Sequence, residues 1–599
     1  MLWKPYQRNL ESKLKISDIL FPDSRIADAE KLYFHTDNKC ICSDNNIIMK
    51  KEAVLSLDTY FNSMPVSQYL EYTSLSDISL RLKLKGRFRI ETVLLSQDGE
   101  KILKNTEISS DGELYEVFSD NINAEKSAAI LFPRLTALDD ECIFEGGFYA
   151  SSASGRNIRT AVAVCTYRRE DYVIKNAFNF SRIYGNSDSV SYFIADNACT
   201  LEKKDLPQNE NIHLFHNRNL GGSGGFSRGI YEILRSSEDY THIILTDDDI
   251  NIDWRILQKL HSFLSLLKPE FSELCAGGGM FDRDCQCIQY EAGALCRNRS
   301  LEGIEMHLDM SVRNNILRAM SAHKPDYCGW WCCCMPVSLV RKNGFPLPLF
   351  IKFDDVEYAL RGKMNFVMPV GICVWHENFE KKYQPLLEYY ITRNSLITYS
   401  LENDTLPLKT IIRNFMSVIS GLVFMQRYKT ADIIIKAYRD YLKGAEFLQN
   451  NDEEKYHKIL GSGMPREMSL DEIYKKEKNI VCVNAEHCHI SRFKKYLTLN
   501  GMFVSKKEVP LLNIRKYCTE SCYGYKKTIQ YNPKSNTGYI TQRSFFLTAA
   551  LLMRTIAVSA EIAFKFHKAE QSYKNNLEKL SSAEMWKKRF EKNGGNYVS

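Results

Sequence analysis

From residue 80 to residue 90 the chain alternates, with Leu80, Leu82, Leu84, Phe88 and Ile90 on one side and Arg81, Lys83, Lys85, Arg87 and Arg89 on the other. A period of two predicts a strand with one buried face and one wet face. With further short strand-like runs and the turn signals "QDGE" and "SDGE", residues 1–155 are predicted to form a separate β-rich domain, a sandwich or a barrel-like sheet. The small polar stretch "SSASGRN" (151–157) reads as the linker that ends it.

The pattern then changes. Across 156–400 the apolar runs "RTAVAVCT", "VSYFIAD", "NIHLFH" and "THIILTD" are spaced by helical stretches, as an α/β domain with a parallel sheet buried on both faces requires. Their carboxyl ends carry "TYRR", "ADN", "HNRNLGGSGG" and "DDD". In open α/β sheets that edge is where ligands collect. Residues 401–599 read as a mainly helical C-terminal domain, as in "TADIIIKAYRDYLKGAEFL" (430–448), with a basic insertion at 491–543.

At 599 residues the chain is too long for one ordinary core, and 44% hydrophobic with 25% charged residues of both signs excludes a disordered chain. The net charge of +6 is small, so an electrostatic partner must be met by a local patch. The insertion at 491–543 holds eleven Lys or Arg against two Glu, with Tyr517, Tyr523, Tyr525, Tyr531 and Tyr539 interleaved. Such a run is most simply a solvated face, and its functional reading is an anionic membrane surface. Nucleic acid is not an expected partner, because nothing besides the basic tyrosine-rich stretch supports it.

The segment "FFLTAALLMRTIAVSAEIAF" (545–564) has nearly the length of a membrane span. Arg554 and Glu561 lie seven apart on one helical face, so a packed or interfacial helix is expected rather than a transmembrane one. The opening residues hold no apolar signal region, and the eighteen cysteines are therefore expected to be reduced, cytosolic thiols. Cys285 with Cys287, Cys332 to Cys334, Cys518 with Cys522, and the triplet His487, Cys488, His489 lack paired C-x2-C spacing, so no structural zinc is expected.

"IILTDDDINID" (243–253) crowds three like charges at a strand end. A divalent cation, Mg2+ or Mn2+, removes that conflict and can bridge carboxylates to a substrate phosphate. Alternation points Asp247 and Asp249 to similar sides and leaves Asp248 facing elsewhere. The bland alternative is a solvated turn. One strand earlier, the glycine-dense "NLGGSGGFSRG" (219–229) lets backbone approach a phosphate, with Asn219, Gly221 and Gly222 as contacts and Arg228 as a cation. It fits neither the P-loop nor the dinucleotide fingerprint. Next to an acidic triplet, it suggests a nucleotide-diphosphate site.

In this order, "TYRR", "ADN", "NLGGSGG" and "DDD" resemble an inverting family-2 glycosyltransferase with a GT-A fold. "GWWCCCMP" (329–336), "PLPLFIKFDDVEYALR" (346–361), "VWHENF" (374–379), "YYITRNSL" (389–396) and "DTYFNSMP" (58–65) resemble more narrowly the galactofuranosyltransferases that extend bacterial galactan chains. The resemblance implies Asp247, Asp249 and His376 as metal ligands, Asp355 as catalytic base and Asp354 as a holder of the acceptor. It implies Trp330 and Trp331 in the acceptor pocket, Asp196 at the uracil, and Arg168 and Asp248 with the nucleotide. Phe379 stands where that family tends to have Trp, a departure at the donor or acceptor side of the motif.

The function these residues imply is metal-dependent transfer of galactofuranose from UDP-galactofuranose to a lipid-linked cell-surface glycan. The enzyme is expected on the cytoplasmic face of the plasma membrane, and a homo-oligomer is implied only by the resemblance. A rhamnosyltransferase or another nucleotide-sugar transferase is the alternative enzyme. A glycan-binding scaffold without turnover is the alternative of another class.

Overall fold

The alternating stretch forms half of a long hairpin in which β1 (Asp77–Ser96) and β2 (Gly99–Asn121) pair antiparallel along their length. The structure, a computed structural model, describes residues 13–591 apart from 44, 123–126, 403–405, 484–489 and 517. On the wet face of β1, Lys83 pairs with Glu145 at 2.9 Å and Arg87 with Asp139 at 3.5 Å. Arg81 departs from the alternation: it is buried and ion-paired to Glu116.

On its other edge β1 changes neighbour, pairing through residues 79–85 with Cys142–Ser151 and through 88–96 with Ala129–Ala137. The change falls at Gly86, which has a φ of 103° and where an added Cβ would lie 2.7 Å from Sγ of Cys142, so there is no room for a side chain. The N-terminal strands therefore belong to one nine-stranded sheet, in which the long strand β1 is shared by three neighbours.

The four apolar runs form β3 (Thr160–Thr166), β4 (Val190–Asp196), β5 (Ile212–His216) and β6 (His242–Asp247). They are parallel, in the spatial order β5-β4-β3-β6. Helices α1 (Glu170–Tyr184) and α2 (Gly221–Arg235) follow β3 and β5. Thr166 pairs with Asp196, and Cys165 with Asp247. The polar chain ends therefore line one edge, as the spacing of the runs required.

Beyond β6 lies a smaller sheet holding β7 (Gly279–Asp282) and β8 (Ile288–Glu291). Strand β9 (Cys333–Pro336) then returns antiparallel beside β6. Helix α3 (Asp354–Arg361) precedes β10 (Cys373–His376), which joins the smaller sheet parallel to β7.

The N-terminal domain buttresses this region. Tyr60, in "DTYFNSMP", donates its hydroxyl to the carbonyl of Ile372 at 3.0 Å, and Phe61 packs 6.1 Å from the fully buried Trp375.

In the C-terminal region α4 (Leu387–Leu401), α5 (Leu408–Phe424), α6 (Tyr428–Tyr441), α7 (Glu453–Ser462) and a long helix near the chain end surround a core containing Ile419, Ile435 and Tyr441. Between residues 468 and 542 the described residues depart from the helical expectation by contributing a five-stranded sheet that includes β11 (Lys527–Asn532) and β12 (Thr537–Gln542). Its inward positions include polar Thr528 and Gln530, which hid the strand pattern. Burial is tolerated because Arg427 donates to the Gln530 side chain at 2.7 Å and Gln530 donates to the carbonyl of Met425. Part of the segment's positive charge meets acids, as in Lys495–Glu520 and Lys527–Glu477.

The long helix α8 (Phe545–Asn575) is the one described helix long and apolar enough to cross a membrane. Leu551, Val558 and Ile562 bury one side in the C-terminal core. Arg554 pairs with Asp432 and Glu561 with Arg439, both partners lying on α6. Helix α9 (Ala583–Glu591) packs back on α2. The described cysteines are free thiols, and the His487 to His489 triplet lies outside the described residues.

Candidate active site

The acidic triplet ends β6, and the chain then crosses to the strand that carries His376. Asn251 and Trp375 exchange backbone hydrogen bonds of 2.8 and 2.9 Å. That bridge brings Nε2 of His376 to 3.2 Å from Asp249 and 3.6 Å from Asp247. Nδ1–H of His376 donates to the carbonyl of Glu377 at 2.6 Å, which aims Nε2 at the two acids. One donor atom from each residue lies within 4.8 Å of the others. This imidazole and oxygen donor set fits a divalent ion such as Mn2+ or Mg2+.

The second oxygen of Asp249 is held by Lys382 and, at 2.8 Å, by Arg169. Burial works against its charge, but His376, Lys382 and Arg169 together hold the carboxyl well below the usual range. Burial raises Asp247, and pushes Asp248 up to about 6 despite Arg169 at 3.0 Å. The triplet thus contains acids of opposite tendency, as a cation site among crowded carboxylates should.

Across from the triplet, the loop of "FIKFDD" turns sharply into α3. Phe350, Lys352 and Phe353 all have φ between 65° and 72°, a conformation that costs a non-glycine residue free energy. Helix α4 holds them there. The Asn394 side-chain amide lies 3.0 Å from the carbonyl of Ile351 and 2.8 Å from that of Lys352, while Arg393 donates to the carbonyl of Leu349 at 2.8 Å. From the other side, the N–H of Phe350 donates to Ser223 of α2 at 2.9 Å.

Asp354 and Asp355 therefore open α3 with the loop locked behind them. Burial raises both carboxyls, and repulsion from Asp355 adds to the rise at Asp354. The N–H of Val356 and the ammonium of Lys352 favour the ionised form of Asp355. Glu291, at the end of β8, senses Asp355, and burial pushes it up to about 7.

A cavity of about 410 Å3 joins these pieces, walled by Tyr167, Arg169, Asn197, the 219–222 turn, Asp247 and Asp248. Gly221 has a φ of 69°, and a side chain there would strike the carbonyl of Phe350. A Cβ on Gly222 would lie 3.3 Å from the carboxylate of Asp354. The glycines bring the amino end of α2 against the acids, where the N–H of Gly221 is held by the Asn219 side chain and that of Ser223 by the carbonyl of Phe350, and the positive end of the helix dipole suits a phosphate.

Residues 16–151 match the family model described as Galactofuranosyltransferase 2 N-terminal. Over 443 residues the chain is 25% identical to galactofuranosyltransferase GlfT2 of Mycolicibacterium smegmatis, a match covering 69% of this chain and 66% of that protein, just under two thirds. Galactofuranosyltransferase GlfT2 of Mycobacterium tuberculosis is 24% identical over 451 residues, covering 69% of this chain and 68% of that one. The chain is similar to the GlfT2 galactofuranosyltransferases over 69% of its length. Among solved structures, mannosyltransferase PcManGT from Pyrobaculum calidifontis with GDP-Man and Mn2+ aligns at a TM-score of 0.27 and 13% identity, over 43% of this chain and 68% of its own. A likeness that loose says nothing about the fold.

The structure brings together Asp247, Asp248, Asp249, His376, Asn219, Gly221, Gly222 and Asp354, with Asp355 close enough to sense Asp247. Five other expected residues stand elsewhere. Asp196 is fully buried, and its carboxylate accepts the N–H groups of Ala198, Thr200 and Leu201, so it shapes the loop after β4. Arg228 is buried against Glu232 at 2.7 Å, with Phe215 and Phe590 beside it, away from the cavity wall. Arg168 lies over Tyr167, and its neighbour Arg169 reaches the triplet instead.

Trp330 and Trp331 are each only 5% exposed, so neither offers the open platform expected for a sugar. Trp330 packs edge-on against Phe226 and Tyr358, and Trp331 donates to the carbonyl of Gly278. Phe379 fills the place in front of Trp331, with its ring 5.8 Å away and 5.0 Å from His376.

Arg169, Lys352, Lys382 and Glu291 escaped the sequence reading. The first two sit inside quoted motifs, and their charge could have been weighed against the acids beside them. Lys382 and Glu291 carried no local signal.

Proposed function

We propose that the protein is a metal-dependent, inverting glycosyltransferase of GT-A architecture that moves galactofuranose from UDP-galactofuranose to a hydroxyl of a growing, lipid-linked cell-surface glycan. The observation that carries this reading is the convergence of Asp247, Asp249 and His376 beside a glycine turn, with Asp354 and Asp355 on the facing loop. The order β5-β4-β3-β6 with acids at the end of β6 supports the GT-A assignment. Kinship with GlfT2 supports the donor sugar.

Asp247, Asp249 and His376 would hold the ion, which when bound supplies Lewis-acid stabilisation of a leaving diphosphate. The chain's own residues do the rest. The amino end of α2 binds phosphate oxygens, and Arg169 and Lys382 fix the orientation of the acids. Asp355 accepts the proton of the attacking hydroxyl, its charge steadied by Val356 N–H and Lys352. Asp354, raised more strongly by its neighbour, keeps its proton longer and donates to an acceptor oxygen.

The test is a donor screen with purified protein, Mn2+ and a short lipid-tailed galactofuranose oligosaccharide, read by product mass. The expected result is hexose addition from UDP-galactofuranose that is lost with a chelator and in a folded Asp355→Asn variant. Addition from a different nucleotide sugar would replace the donor, and addition that survives chelation would remove the metal.

For location, we propose docking on the anionic cytoplasmic leaflet. Phe546, Met553 and Phe564 project from one stripe of α8, and Phe564 is 87% exposed. At the start of that helix Arg543 donates to the carbonyls of Gly501 and Val504, each at 2.7 Å, placing exposed Phe503, Lys506 and Lys507 at the same tip. Apolar side chains rimmed by lysines suit a headgroup boundary. Flotation with phosphatidylglycerol vesicles should capture the protein and fail for Phe546→Glu with Phe564→Glu. A change of oligomeric state in that variant would instead assign the stripe to a second copy of the chain.

A further inference from the structure

The fourth wall of the cavity comes from the C-terminal region. Glu454, His457 and Lys458 of α7 line the same space as Tyr167, Asn197 and Asp247. No motif in the sequence pointed there, since this helix lies some two hundred residues after the acidic triplet.

Helix α7 is seated on the machinery that presents the catalytic acids. Asp452 caps it by accepting the N–H of Lys455, and Glu453 pairs with the buried Arg393 at 3.5 Å. His457 lies 5.3 Å from the ring of Phe350, and its Nδ1 is 3.0 Å from the hydroxyl of Tyr390. Three anchors to the 349–353 loop and to α4 leave α7 little freedom to swing away. Its outward side carries Glu454 and Lys458, paired at 2.8 Å one turn apart.

The inference rests on the reading of this cavity as the donor's nucleotide site. With diphosphate at Asp247 and the amino end of α2, and the base toward Tyr167 and Asn197 at the ends of β3 and β4, the ribose between them faces the remaining wall. That wall presents a carboxylate. Two adjacent sugar hydroxyls are donors that one carboxylate can accept together, and an acidic residue facing a ribose is the usual chemical solution in nucleotide sites. Lys458 holds Glu454 in place from the next turn.

We infer that Glu454 of α7 reads the ribose diol of the donor nucleotide and makes the site selective for ribonucleotide over 2′-deoxyribonucleotide sugars. The C-terminal region is then part of the donor site, and a deoxynucleotide-activated sugar is disfavoured by a named side chain.

The experiment compares binding of UDP and 2′-deoxy-UDP, in the presence of Mn2+, to wild type, Glu454→Gln and Glu454→Ala, with thermal melting as the control for folding. Wild type should prefer UDP by about tenfold or more, the size expected for a lost hydrogen bond to a charged group. Both variants should lose that preference by weakening UDP while 2′-deoxy-UDP stays within about twofold. A preference retained in the folded variants, or an equal loss for both ligands, overturns the role of Glu454. Wild type that binds neither ligand overturns the nucleotide-site reading itself.

Discussion

The side-chain amide of Asn394 lies 2.8 Å from the carbonyl of Lys352, a residue held at a φ of 65° two positions before Asp354. Helix α4 thereby holds the strained loop from which Asp354 and Asp355 project. Asn394→Leu leaves buried carbonyls without partners, a loss of about 1–3 kcal/mol. The variant should melt lower and lose turnover by about tenfold or more, while UDP binding changes little. A variant that melts lower yet keeps full turnover would show that the loop holds its shape without Asn394.

Adjacent arginines separate what the motif implied from what the structure places. Arg169 contacts Asp248 and Asp249, whereas Arg168 rests on Tyr167. Arg169→Ala strips a cation from two buried acids and should reduce kcat/KM by about a hundredfold, given about 3 kcal/mol for breaking a buried pair. Arg168→Ala should stay within about threefold. Steady-state kinetics of both variants at saturating Mn2+ decide the matter.

The pH profile follows from Asp355, which burial pushes up to about 6. As the proposed base it works as the carboxylate, so kcat/KM should fall as pH drops through about 6 rather than through the ordinary Asp range near about 4. Asp355→Asn should be inactive at every pH. A limb that stays near pH 4 would mean that the charge of Asp355 is better stabilised in the working enzyme than burial alone allows.

Stability has its own pH signature at Lys259, where burial lowers the ammonium to about 7 while its Nζ donates to the carbonyl of Phe61 at 3.1 Å. Between about pH 7 and the unfolded value of about 10.4, the unfolded chain carries the proton and the folded chain does not. Stability from this group therefore rises with pH across that window. Lys259→Met should stabilise most near about pH 6, by up to about 4 kcal/mol less the lost hydrogen bond, with the gain shrinking toward about pH 10. Denaturant melts at the two pH values would show it.

Much of this was legible along the chain because it depends on local spacing. Alternation at 80–90 marked β1, and apolar runs with polar ends marked β3 to β6 and the edge where Asp247 and Asp249 lie. The five-stranded sheet at 468–542 was not legible, because Thr528 and Gln530 are buried only by grace of partners such as Arg427. Burial of a polar group depends on its hydrogen-bond partner, and a partner about a hundred residues away leaves no local trace.

The sequence by itself determined which residue types stand at the strand ends, and therefore that an acidic, glycine-rich edge would form. Only the tertiary structure decided which of them meet. The Asn251–Trp375 bridge brings His376 to Asp249, Arg169 rather than Arg168 turns toward the acids, the paired tryptophans sink into the core, and α7 closes the cavity from the far end of the chain. Spacing sets side-chain direction over a few residues, but contact between distant segments is set by packing, where burial, partner and strain are settled together.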